Sequence, residues 1–186
     1  FLNMTRKVVA YIDGFNLYHS IDKNLDDSYK WIDYRKMVEA YLWPDDELVN
    51  IFLFTAFPKW KKDTYKHQCF ISAQHSRWVR IINGNYSEVS RNFNANKMRV
   101  VDPHTKTPLH VQVKPPVFSY QTYEEKQTDV NISLYILEGA FKDYYDKALI
   151  FSGDSDIAPS IIMSKQHFPN KNFTAILPIG GKGKVI

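Results

Sequence analysis

A single cysteine, Cys69, among 186 residues excludes an internal disulfide and any zinc cluster built from several thiolates, and suits a reducing compartment. No stretch approaches the ~20 consecutive apolar residues of a membrane-spanning helix, and the N-terminus lacks the apolar core of a secretory signal. The expectation is a cytoplasmic protein without a membrane partner, with Met4 as the natural start and Phe1-Leu-Asn3 as an added remnant. None of the six histidines belongs to a His-Glu-x-x-His doublet, and the run Gly180-Gly-Lys-Gly-Lys184 has neither the spacing nor the position of a phosphate loop. Ser152 lies in Phe-Ser-Gly-Asp rather than Gly-x-Ser-x-Gly, which argues against a hydrolase elbow. The formal charge of +4 is compatible with a polyanionic partner without demanding one. With 12 Tyr, 12 Phe and 4 Trp, some rings must reach the surface, where they can stack on bases, although core and interface duty is the commoner use.

What is present is an alternation of apolar strands and helical patterns. Lys7 to Ile12, Val49 to Thr55, Trp78 to Ile82, Lys147 to Phe151 and Asn172 to Leu177 read as strands. Between them, a helix or loop is expected over Phe15 to Leu25, and helical patterns from Tyr34 to a stop at Trp43-Pro44, over Lys59 to His75, from a Thr128 cap through Phe141, and over Ser155 to His167. That order predicts an α/β fold with a parallel sheet covered by helices on both faces. Residues 4–186 read as one domain interrupted by an inserted β-hairpin at about 97–113, whose flanks are Met98-Arg-Val-Val101 and His110-Val-Gln-Val113.

The chemistry-bearing residues cluster at strand ends. Val8-Val-Ala-Tyr-Ile-Asp13 and Lys147-Ala-Leu-Ile-Phe-Ser-Gly-Asp154-Ser-Asp156 both deliver carboxylates where ligands bind in open α/β sheets. Crowded carboxylates repel unless protonated or shared by a cation, and oxygen-only ligands suit Mg²⁺ or Mn²⁺. A third acidic block, Glu124-Glu-Lys-Gln-Thr-Asp129, precedes a helix. Asp129 and Asp156 can equally serve their helices by satisfying free amides and offsetting the dipole.

Tyr11-Ile-Asp-Gly-Phe-Asn-Leu-Tyr18, Glu124-Glu-Lys-Gln-Thr-Asp-Val-Asn131 and Ser152-Gly-Asp-Ser-Asp156, with Phe54-Thr-Ala-Phe57 and Lys66-His-Gln68 in support, resemble the signature blocks of the NYN domain, a branch of the PIN-like metal-dependent ribonucleases. The resemblance implies a PIN-like three-layer sandwich around a central, mainly parallel sheet. It implies Asp13 as a primary metal ligand, Asn16 orienting a water or the scissile phosphate, and Asp129, Asp154 and Asp156 completing an acidic pocket with Glu125 as an outer member. Ile157 and Ala158 depart from the bulkier residues relatives carry before Pro159, with packing consequences only.

The function expected is hydrolysis of RNA by a metal-dependent ribonuclease using Mg²⁺ or Mn²⁺. Lys59, Lys61, Lys62, Lys66, Arg77, Arg80, Arg91, Lys97 and Arg99 are candidates to hold a phosphate backbone, whether single-stranded or structured. The insertion, with Arg91, Lys97, Arg99 and Lys114 among Phe93, Phe118 and Tyr120, suits unpaired RNA or, alternatively, a homodimer contact. Two rival functions remain: a non-catalytic RNA-binding or assembly module, and a metal-dependent phosphohydrolase. The latter is disfavoured because Phe15, not a second Asp, stands two residues after Asp13.

Overall fold

The computed structural model describes residues 5–57, 64–94 and 117–180, with positions 102, 104, 105 and 107. The strands are β1 (Arg6–Asp13), β2 (Asp46–Thr55), β3 (Val79–Asn83), β4 (Asn85–Asn94), β5 (Val117–Lys126), β6 (Lys147–Phe151) and β7 (Asn172–Ile176). The α-helices are α1 (Gly14–Asn24), α2 (Tyr34–Glu39), α3 (Tyr65–Ser76), α4 (Thr128–Phe141) and α5 (Ala158–His167), with 3-10 turns at Asp27–Trp31 and Ser155–Ile157.

The last six residues of β1 and all five of β6 are buried. Such continuous apolar strands have no solvent face and belong inside a parallel sheet covered on both sides. β1 pairs in parallel with β2 and with β6, and the five-stranded sheet runs β3-β2-β1-β6-β7. Alternate side chains divide between two cores. Val8, Ala10 and Ile12 meet Leu17 and Ile21 of α1 and Tyr34 and Val38 of α2 on one face. Val9 and Tyr11 meet Ile132, Ile136 and Ala140 of α4, together with Ile157, on the other. This is the expected PIN-like three-layer arrangement.

At the amino edge of the sheet, Asp46 has no exposed side-chain surface and holds Arg6 Nε at 2.6 Å and Lys147 Nζ at 2.8 Å, tying β1, β2 and β6 together. Burial works to raise the Asp46 carboxyl, but hydrogen bonds from Arg6, Lys147 and the Trp43 amide outweigh it and hold the group below its usual range.

Several expected boundaries move. α2 ends at Glu39, before Trp43-Pro44, and Trp78 precedes β3 rather than opening it. α3 starts at Tyr65; residues 58–63, the front of the basic helix expected from Lys59, lie outside the described residues. The two-stranded antiparallel sheet is formed by β4 and β5, and the flanks expected at 98–101 and 110–113 fall outside the described residues. Glu124 and Glu125 lie at the end of β5. Thr128 is not the cap of α4: Gln127 is, with a left-handed φ of 80°, and Thr128 is the first helical residue. Contacts divide the chain into two compact units, residues 1–85 with 126–186 and residues 86–125.

Candidate active site

In the order β3-β2-β1-β6-β7, β1 and β6 are where the sheet reverses its direction of growth. α1, leaving β1, packs on one face, while Ile157 and Ile161, after β6, pack on the other. The chain thus departs in opposite directions from two adjacent strand ends and opens the crevice in which ligands bind in open α/β sheets.

Asp13 closes β1 and caps α1: its Oδ1 accepts the Asn16 backbone N–H at 2.9 Å, and the residue is only 4% exposed. The following residue must be glycine, because a Cβ on Gly14 would stand 2.7 Å from the Phe54 carbonyl oxygen. Across the seam, Ser152 is buried at the end of β6. Its hydroxyl donates to Asp13 Oδ2 at 2.8 Å and accepts the Asp154 backbone N–H at 3.1 Å. The Gly153 N–H donates to Asn16 Oδ1 at 3.0 Å. Asp154 Oδ1 accepts the Asp156 N–H at 2.9 Å and so caps the Ser155–Ile157 turn. The helix expected over Ser155 to His167 begins as a 3-10 turn followed by α5.

These bonds join the first and third sequence blocks directly. Asn16 and Asp154 carry structural duties that their resemblance-based roles did not include. Asp156 is exposed. Asp129 lies in the first turn of α4, half-buried beside buried Thr128. Since α4 leads back to the amino end of β6, where the Asp146 N–H reaches the Lys7 carbonyl at 2.9 Å, its first turn stands toward the carboxyl edge of the sheet. Glu125 belongs to the β4-β5 unit, where burial and then its charge raise the Tyr86 phenol.

Three contributors carried no sequence signal. In the sequence Ser152 reads only as a residue outside a nucleophile elbow, Gly14 as part of a motif and Tyr34 as a helix start. Tyr34 is buried, and its phenol is pushed up first by burial and then by the Asp13 carboxylate, so it stays neutral within that carboxylate's field.

Among the described residues no group of three or more His, Cys, Asp or Glu side chains forms a ready-made metal cage. Mg²⁺ ordinarily takes one or two protein carboxylates and completes its octahedron with waters and substrate phosphate. The oxygen-only set at the β1 and β6 ends, Asp13 and Asp154, fits an ion of that kind in donor chemistry, whereas zinc would favour His or Cys.

Comparison with known proteins identifies the family of this sheet. The NYN domain family model matches residues 7–169. The chain belongs to the NYN domain family. This NYN domain is 26% identical over 196 residues to 6-hydroxy-3-succinoylpyridine 3-monooxygenase HspA of Pseudomonas putida (strain DSM 28022 / S16), a match covering 94% of this chain and 60% of that protein's length. Among solved structures it is similar to a protein of unknown function from Vibrio parahaemolyticus RIMD 2210633. That match has a TM-score of 0.58 and 15% identity and covers 94% of this chain and 82% of the other, a likeness of fold. The NYN domain is a PIN-like nuclease family, and membership supports a nuclease function. No helix among the described residues is long and apolar enough to cross a membrane.

Proposed function

We propose that this NYN domain is a metal-dependent ribonuclease that hydrolyses RNA phosphodiester bonds in the cytoplasm at the edge formed by Asp13 and Asp154. The observation that carries the reading is the hydrogen-bonded junction of the β1 and β6 ends, where Ser152 ties the Asp13 carboxylate to the Asp154 backbone. Asp13 and Asp154 would hold Mg²⁺ or Mn²⁺, with Asp156 and Asp129 adding negative charge for it. When bound, such an ion lowers the pKa of water and neutralises charge developing on the phosphate. Ser152 and the Asn16 N–H fix the orientation of the Asp13 carboxylate, and the Gly153 N–H fixes the Asn16 amide oxygen. This preorganisation spares the site reorganisation when the P–O bond breaks. Tyr34, kept protonated, adds no second negative charge beside Asp13.

The test incubates the purified chain with end-labelled single-stranded RNA and with DNA, in Mg²⁺, in Mn²⁺ and in EDTA. RNA cleavage that requires metal and falls about a hundredfold or more in Asp154→Asn is expected. RNA binding without cleavage would favour the assembly module, and turnover of small phosphomonoesters alone the phosphohydrolase.

A second reading rests on HspA, which is named a monooxygenase. In it the chain contributes to hydroxylation, with molecular oxygen and a reduced nicotinamide or flavin as co-reactants. Conversion of 6-hydroxy-3-succinoylpyridine with those co-reactants, and no RNA cleavage, would replace the nuclease reading.

A further inference from the structure

Away from the Asp13 edge lies a cavity of about 410 Å³ lined by Arg35, Ser76, Arg77 and Trp78. It is an open depression on the surface rather than an enclosed cleft. Trp78 is 81% exposed and has a φ of 64°. A bulky aromatic residue in the left-handed region is a backbone outlier, and such strain persists where the surroundings impose it, often at ligand sites. Here α3 imposes it: the Arg77 N–H bonds to the Gln74 carbonyl at 3.0 Å and the Trp78 N–H to the His75 carbonyl at 3.1 Å. The strain is not offset by burying the indole, because the ring remains in solvent.

The two arginines line the same depression as that ring. Arg77 reaches Asp33 through Nε at 3.2 Å, and Arg35 reaches Glu39 through Nε at 2.8 Å. These contacts anchor the guanidinium groups, and a guanidinium carries five donors, more than one such contact uses. The carboxylates also offset the arginine charges, so net charge alone does not recommend the site to a polyanion. A planar ring beside planar guanidinium groups favours a ligand with a flat π-face and hydrogen-bond acceptors, as an unpaired nucleotide has.

We propose that the Trp78 cavity is a docking subsite for one unpaired nucleotide of the RNA substrate, its base stacked on the indole and its phosphate or sugar oxygens taken by Arg77 and Arg35. The proposal rests on the ribonuclease reading.

The test measures binding of a fluorescein-labelled unstructured 12-nucleotide RNA by anisotropy in EDTA, where cleavage does not intervene, for wild type, Trp78→Gly, Trp78→Phe and Arg77→Ala. Glycine relieves the left-handed strain, so Trp78→Gly is expected to unfold at the same or a higher temperature while losing about tenfold or more in affinity. Trp78→Phe should keep part of that affinity. Trp78 variants should leave the salt dependence unchanged, whereas Arg77→Ala should reduce its slope. Affinities in Trp78→Gly and Trp78→Phe equal to wild type, with RNA still bound and cleaved, would overturn the subsite and leave the ribonuclease standing. A wild-type chain that neither binds nor cleaves RNA would overturn the ribonuclease reading and the subsite with it.

Discussion

Ser152→Ala isolates the junction between the two halves of the site. The substitution removes one hydroxyl that gives a hydrogen bond to a carboxylate and receives one from a backbone amide. A hydrogen bond to a charged group contributes about 1.5–3 kcal/mol and a neutral one about 0.5–1.5 kcal/mol. Ser152 is 6% exposed, which limits replacement by water, so the expected loss is about 2–4 kcal/mol. In a domain of this size that lowers the melting temperature by roughly 5–15 °C. The assay is urea unfolding at pH 7 in EDTA of Ser152→Ala, Asp13→Ala and the double variant. Asp13→Ala also loses the cap of α1, about 1 kcal/mol, and the cycle cancels that contribution. The remaining coupling should be about 1–3 kcal/mol. A Ser152→Ala loss below about 0.5 kcal/mol, or a coupling near zero, would show that the hydroxyl does not tie the strand ends.

Gly14→Ala should destabilise by more than about 1 kcal/mol, because the added Cβ meets backbone, the Phe54 carbonyl at 2.7 Å, rather than a side chain that can turn away; an unchanged urea midpoint would refute that close approach. Asp46→Ala should cost about 3–5 kcal/mol by leaving Lys147 buried without its partner. Since the folded Asp46 carboxyl lies below its unfolded value, wild type holds this stability above the ordinary carboxylate range and loses it as pH falls through the folded pKa, a slope the variant should lack in acid titrations. At the alkaline end, burial raises the Tyr11, Tyr34 and Tyr145 phenols. Above pH ~10 the unfolded chain releases protons that the folded chain retains, so stability should drop by up to roughly 4 kcal/mol per pH unit. Flat stability from pH 9 to 11 by circular dichroism would contradict that burial.

The features legible in the sequence were those encoded locally. Val8 to Ile12 and Lys147 to Phe151 are continuous apolar runs, which only a doubly covered parallel strand accommodates, and both ended in the residues that now share one edge. Local pattern could not reveal that the Ser152 hydroxyl would point at a carboxylate 139 residues away. The inserted hairpin was legible as such, and β4 and β5 supply its antiparallel pair, with 97–113 largely outside the described residues. The extent of β4 was not legible, because Asn85 and Asn92 are poor strand formers whose pairing is set by the partner strand, as in the side-chain bond between Ser119 and Asn92 at 2.8 Å. The start of α4 is displaced by one residue from the expected Thr128 cap because Gln127 turns left-handed, a conformation nothing in a glutamine announces. Trp78 looked like the start of a strand for the same reason.

The seam between β1 and β6 also fixes when the pocket can exist. On the ribosome, Asp13 emerges early and folds beside β2, but β1 keeps an unpaired edge until β6 has been made. The acceptor of the Ser152 hydroxyl therefore waits through more than a hundred residues of synthesis, and Asp154 arrives at nearly the same moment as Ser152. A chain released or stalled before that point carries the first carboxylate without the second. Within each chain, completion of the site is thus a late event of translation, when most of the messenger segment encoding this domain has already been read.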